Sequence, residues 1–442
     1  MKVFISSSKN DRAMLQQLAQ ALTESGHKVF YENLNIKSGD NWFKKINEAI
    51  KDFEAVVIIL SRETMNSKSA MMEMESIVLN DISKKSTRII PVITDKSVLP
   101  SYLMNYGFID MSRNLDYGIE KLRALLAEGS QRIHHEGLPS KESNQRRNAI
   151  FSKRLKASLK SGELTLVCGA GVSIGADIPD WNALLLDLLE TMIARIANDP
   201  SLSLTTKSSA SYKSLLGSSS LVMGKYLKSN LGKDFLPELR DALYKNNPIS
   251  CDLIDAIVEI SRPQRDGKPL DSIITFNFDA LIEENLAANN IKFKAIEKEG
   301  IRNLQDELPI YHVHGFLPRK GKIGSDKNIV FSEDSYHTQF IEPFSWSNLI
   351  QLNKLSQNTC LFIGLSLNDP NLRRLLDVAN RKDPTNNLNH YIIKKIPSLD
   401  NDATVDELLM FLEEQDANEL GLNVLWVNEF DEIGDLIRDL IR

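Results

Sequence analysis

Short aliphatic and β-branched runs separated by amphipathic stretches constrain this chain more than any other feature. They begin at once with KVFIS, a helical pattern near residues 11 to 25, HKVFY, a helix from Asn41, and AVVIIL. A strand that is apolar at nearly every position needs cover on both faces, which a parallel sheet with helices on either side supplies. The series runs on through a helix near residues 69 to 84, RIIPVI, a brief FIDM and a helix near residues 117 to 127. The order predicts an α/β domain of flavodoxin-like topology over residues 1–130.

From Glu128 the text turns polar and aperiodic (EGSQRIHHEGLPSKESNQRR), so residues 131–147 read as a linker. His134 and His135 lie there without further ligands at metal-site spacing and read as solvated. A second series then opens with a helix and ELTLVCGAG, and continues with DSIITFNFD, PIYHVHG, NTCLFIGLS, NHYIIKK and NVLWVNE. It predicts a doubly wound, Rossmann-like domain over residues 148–442 with a helical insertion at about 182–262. Two domains also suit 442 residues, which exceed one ordinary core.

Composition narrows the function classes. Hydrophobic residues at 42% and charged residues at 25% fit a globular protein, and a net charge of -6 argues against a nucleic-acid partner. The apolar start is too short for a signal peptide, and no run reaches membrane-spanning length. Cys168, Cys251 and Cys360 form no CxxC pair and sit beside apolar residues, as expected of reduced thiols in a cytoplasmic protein.

The segment LTLVCGAGVSIGADIPDW (Leu164 to Trp181) places a loop of small residues between an apolar strand and a helix. Small side chains let backbone N–H groups approach a pyrophosphate, and a helix N-terminus adds its positive end. A Gly-Ala-Gly turn alone is equally a tight turn, so the longer string carries the argument. Gly169, Ala170, Gly171, Ser173, Pro179, Asp180 and Trp181 resemble the opening dinucleotide motif of sirtuins, particularly the prokaryotic sirtuin-like NAD hydrolases. Three further segments match in order: TFNFD with Asn277 and Asp279, HVHG with His314, and Gly364-Leu365-Ser366.

The resemblance implies that NAD is a substrate rather than a prosthetic group. Asn277 would orient water and ribose, and His314 would act as general base. Gly169, Ala170, Gly171, Ser173, Pro179, Asp180, Trp181, Asp279, Gly364 and Ser366 would contact the nucleotide. His312 shares a face with His314, but the family motif sets the catalytic histidine directly before Gly, so His314 ranks first. Asp279 can equally cap the following helix. Deacetylating sirtuins carry zinc on two CxxC pairs; with three scattered cysteines, no zinc is expected, and hydrolysis of NAD to nicotinamide and ADP-ribose is favoured over deacylation.

In the first domain VFISSSKND, VFYENLNIKSGDNW and LSRETMNSKSAMMEME resemble three TIR landmarks. The family register places the catalytic glutamate at Glu73 and its usual Trp partner at Ser69, a departure from the pattern; Glu75 lies nearby. Glutamates on an amphipathic helix are ordinarily solvated, so a surface role stands beside the catalytic one. The loop with Ile36, Gly39, Asp40 and Trp42 resembles the segment by which TIR domains self-assemble, and Met71, Met72 and Met74 read as core filler or assembly surface. The combination implies a triggered, NAD-depleting effector of bacterial antiviral defence, homo-oligomeric through its TIR-like and sirtuin-like surfaces and switched by a nucleotide or phage protein. The alternative makes the sirtuin-like domain a nucleotide sensor and the TIR-like domain the NAD-cleaving or partner-recruiting unit.

Overall fold

The computed structural model describes the chain except residues 9–10, 32–52, 85–87, 96–99, 107, 128–140, 197–219, 264–268, 325–326, 383–389 and 399–402. The helix expected from Asn41, the Ile36–Trp42 loop and His134–His135 lie outside the described residues. The chain divides into two compact units, one containing Met1–Ala149 and Ile396–Glu419, the other Ile150–Asp383, Asn389–Lys395 and Leu420–Arg442.

The first unit contains β1 (Lys2–Ser6), α1 (Arg12–Glu24), β2 (Lys28–Phe30), β3 (Ala55–Leu60), α2 (Arg62–Asn66), α3 (Lys68–Lys84), β4 (Arg88–Ile93), β5 (Ile109–Asp110) and α4 (Leu115–Ala127). Its strands pair in parallel in the order β2-β1-β3-β4-β5, the flavodoxin-like arrangement. The fully apolar β3 explains itself through alternation. Val57 and Ile59 face a core with Leu18, Leu22 and Leu122 from α1 and α4, while Val56, Ile58 and Leu60 face Met74, Ile77 and Val78 of α3.

The helix α5 (Lys141–Ser161) begins within the stretch read as linker. The second unit then runs through β6 (Leu164–Cys168), α6 (Gly171–Ile174), α7 (Trp181–Ile196), α8 (Ser220–Leu231), α9 (Phe235–Leu243), α10 (Asp252–Ile260), β7 (Ser272–Thr275), α11 (Leu281–Ala288), β8 (Phe293–Ile296) and β9 (Leu308–His312). It continues with α12 (Glu333–Ile341), α13 (Trp346–Gln357), β10 (Thr359–Ile363), α14 (Pro370–Lys382), β11 (His390–Lys395), β12 (Leu422–Val427) and α16 (Glu432–Asp439). The helix between β11 and β12, α15 (Ala403–Glu419), is grouped with the first unit.

Seven parallel strands run in the order β12-β11-β10-β6-β7-β9-β8. The chain winds outward from β6 on one side and returns to β10 on the other, so the switch of direction lies between β6 and β10. Crevices at the carboxyl ends of such strands are where doubly wound folds hold ligands. The insertion is largely helical in its described parts, as the pattern predicted. The edge strand β8 is an element the sequence reading lacks: it is mostly half-buried and so carries little apolar signal.

Candidate active site

At the switch of the second unit two glycine loops lean on one another. The Gly171 N–H donates to the Gly364 carbonyl at 3.0 Å, and the Gly169 N–H to that of Ile363 at 2.9 Å. A Cβ on Gly169 would lie 2.5 Å from the Gly364 carbonyl oxygen, and one on Gly171 would lie 2.7 Å from the Gly364 Cα. Gly364 itself sits at φ +65°, a left-handed conformation that glycine adopts without strain. The spacing of these glycines is thus demanded by loop-to-loop packing, whatever the loops bind.

Beside this contact lies a cavity of about 530 Å³. It collects Ala170, Pro179, Trp181, Asn277, Asp279, His314 and Ser366 from four separate sequence motifs. Gly169, Gly171 and Gly364 hold the loops, and Ser173 is fully buried with its hydroxyl accepting from Asn277 Nδ2 at 3.2 Å. Asp180 is exposed and accepts from the Ala183 N–H at 2.8 Å, capping the start of α7.

Asn277 and Asp279 follow β7. The Asn277 N–H donates to Thr275 Oγ1 at 3.1 Å, and Asp279 Oδ1 accepts the Leu281 N–H at 3.0 Å at the start of α11. Asp279 therefore serves the helix start while lining the cavity. Burial pushes its carboxyl up to about 6, against the opposing pull of the Leu281 N–H and the Ser173 hydroxyl. Tyr244, at the end of α9, braces this loop by accepting the Ala280 N–H at 2.9 Å and donating to the Leu317 carbonyl at 3.0 Å.

The two histidines at the end of β9 take different surroundings. His312 is buried, its Nε2 2.6 Å from Glu283 Oε1 and its Nδ1 3.3 Å from the Asn277 carbonyl. His314 lines the cavity, with its Nε2 3.3 Å from Asp369 Oδ2 and its ring edge-on to Phe276 and Tyr336. Gly315 at φ +101° turns the chain away directly afterwards, and a Cβ there would lie 2.4 Å from the Asn328 carbonyl oxygen.

Sequence reasoning missed Tyr336, Asp369 and Glu283. Asp369 follows Ser366 by three residues, so the late Gly-x-Ser loop was the available signal. Tyr336 comes from a helix without a signature, and Glu283 reads as surface in ALIEENL yet is buried against His312.

In the first unit Glu73 is not a solvated helix residue. Its Oε1 accepts from Ser6 Oγ at 3.0 Å, at the carboxyl end of β1. Burial raises its carboxyl above the ordinary glutamate value, with the Ser6 hydrogen bond opposing. Nearby, Asp11 Oδ2 accepts from Ser8, Ser61 and Thr64 at 2.5, 2.8 and 2.9 Å, tying the loop after β1 to the start of α2. Ser69 lies on α3 with its side chain outside the described residues. Glu75 accepts from Gln415 of α15 at 2.9 Å, and Met74 is fully buried in the core.

Comparison with known proteins finds a different domain family in each half of the chain. The TIR domain family matches residues 3–126, and the SIR2-like domain family matches residues 271–416. The chain is 23% identical over 314 residues to NAD(+) hydrolase ThsA of Enterococcus faecium, covering 66% of this chain and 58% of that protein. It is also 30% identical over 90 residues to the probable 2' cyclic ADP-D-ribose synthase TcpB of Brucella abortus (strain 2308), covering 20% of this chain and 36% of that protein. The chain thus spans under two thirds of the length of either relative. With parallel sheets in both units and these two family matches, the chain joins an N-terminal TIR domain to a C-terminal SIR2-like domain.

Proposed function

We propose that this chain is an NAD hydrolase whose SIR2-like domain cleaves NAD to nicotinamide and ADP-ribose. The carrying observation is that Asn277 and His314 line one cavity beside the mutually packed Gly169–Gly171 and Gly364 loops. The bond between the ribose carbon and the pyridinium nitrogen breaks, with its electron pair neutralising the nicotinamide ring. Water supplies the new oxygen on the sugar, and its proton passes to His314 acting as general base. Asn277, steadied by Ser173, holds the water and ribose. The small-residue loop, with Pro179, Trp181, Asp279 and Ser366, holds the nucleotide as substrate, and no metal or prosthetic group enters the reaction.

In this reading residues 1–130 and 148–442 are the functional domains, joined by 131–147. An enzyme that empties a cytoplasm of NAD has to be silent until triggered. The TIR domain therefore serves sensing or assembly in bacterial antiviral defence, through a homo-oligomer switched by a nucleotide or phage protein. The relative named as an NAD(+) hydrolase supports the activity.

A second reading has its own observation. Glu73 is half-buried, raised in pKa and fixed by Ser6 at a sheet end, which favours a TIR domain that itself cleaves NAD, with the SIR2-like cavity as nucleotide sensor. The relative named as a probable cyclic ADP-ribose synthase matches over 90 residues only.

The test is nicotinamide release from NAD by purified full chain across a protein concentration series, with His314→Ala and Asn277→Ala as comparators. Each substitution is expected to lower turnover by at least about 100-fold. Turnover unchanged by both would overturn the first reading.

A further inference from the structure

Two cavities meet at His314. One is the nucleotide cavity described above; the other, of about 560 Å³, is lined by Lys228, Lys327 and Asp334 among others, and His314 borders both. The imidazole therefore needs something to fix its direction and its protonated nitrogen.

We infer that Asp369, itself anchored by Tyr336, is the positioning residue that holds His314 with a proton on Nε2 and leaves Nδ1 as the basic nitrogen. Asp369 Oδ2 lies 3.3 Å from His314 Nε2 and accepts from the Tyr336 hydroxyl at 2.8 Å, while its Oδ1 accepts the Leu372 N–H at 2.7 Å. Three donors from three elements thus converge on one carboxylate. His314 and Asp369 are both nearly buried. Leu367, just upstream, is held at φ 58°, an uncommon conformation for a leucine that sets the course of the loop reaching Asp369.

Lys298, Glu299 and Glu342 also line the second cavity, and several of the other charged groups around the imidazole are engaged elsewhere. Asp279 accepts from Leu281 on its own loop. On the far side Lys228 pairs with Asp334 of α12, and Lys327 pairs with Glu297. His312 pairs with Glu283. Burial alone would push the Asp369 carboxyl up, but His314, Leu372 and Tyr336 together hold it below its ordinary value. An anionic partner also favours the imidazolium that forms when His314 takes a proton.

The inference rests on the proposed hydrolase reading for its catalytic meaning, but its physical content is tested separately. Long-range nitrogen-proton spectra of histidine-labelled full chain, assigned with His314→Ala, report the tautomer and titration midpoint of His314. The expected result is the Nε2–H tautomer, and a midpoint lowered by about one pH unit in Asp369→Asn, which keeps the shape but removes the charge. An Nδ1–H tautomer, or an unmoved midpoint in a folded Asp369→Asn variant, would overturn it.

Kinetics supply the second arm. Asp369→Asn is expected to lower kcat at least about tenfold with KM little changed, and to move the acid limb of the pH profile to lower pH, the same way as the midpoint. A pure rise in KM with an unmoved limb would contradict the assignment. Failure of the hydrolase reading looks different: the spectra behave as expected while His314→Ala leaves NAD turnover intact.

Discussion

At the scale of single residues, the glycines show how one sequence signal serves two ends. Gly169 and Gly171 were read as room for a pyrophosphate, but the structure gives them a prior duty in packing against Gly364. Gly169→Ala places a methyl group against a carbonyl oxygen and the Leu365 side chain, so destabilisation of about 1–3 kcal/mol is expected. Thermal melting of the variant should show this even without nucleotide, whereas a glycine needed only for ligand approach would leave the apo melting point unchanged. That Asn277 and His314 would come together was legible because each follows an apolar strand and falls in an ordered set of motifs, and both line one cavity. Tyr336 and Glu283 were not: each comes from a helix whose pattern describes solvent exposure, and only the folded chain brings it against a histidine.

At the scale of elements, α15 is the feature least visible in the chain. Its sequence lies largely within the SIR2-like match, and it connects β11 to β12, yet it folds into the TIR-bearing unit. Phe411 joins the core beside α3, its ring 5.1 Å from that of Tyr102, and Glu414 forms a buried ion pair with Arg147 at 2.7 Å. Periodicity reports that a helix is amphipathic, not which surface it covers, so this placement could not be read from the text. Phe411→Ala is expected to destabilise the first unit by about 3–5 kcal/mol, with hydrogen exchange accelerating in α3. Unchanged protection in α3 would show that α15 is not part of that core.

The same contact makes a pH prediction. Glu75, bonded by Gln415, is pushed up to about 7 by burial and then by the nearby Glu419. A raised carboxyl folds best protonated: its contribution is fully present below the ordinary glutamate range and is lost as pH rises through about 7. Glu75→Gln should therefore flatten the fall in melting temperature between pH 5 and pH 8. A slope identical to wild type would remove Glu75 as its source.

At the scale of the whole molecule, the strand series made both parallel sheets legible, because apolar runs separated by helices admit few other arrangements. The order of the second sheet was not written in those runs. It follows from which side of β6 each crossover takes, and this sets β10 and its Gly364 loop against the Gly169 loop. If assembly switches the proposed activity on, NAD turnover per chain should rise with protein concentration. Constant specific activity down to monomer would contradict regulation by assembly.

The two functional readings differ in which carboxyl-end crevice breaks the bond. The most direct measurement is nicotinamide release from NAD by Glu73→Ala and His314→Ala full chains, side by side under conditions where wild type is active. The account predicts that Glu73→Ala retains turnover while His314→Ala loses it; loss in Glu73→Ala with retention in His314→Ala would move the chemistry to the TIR domain and leave the SIR2-like cavity as the sensor.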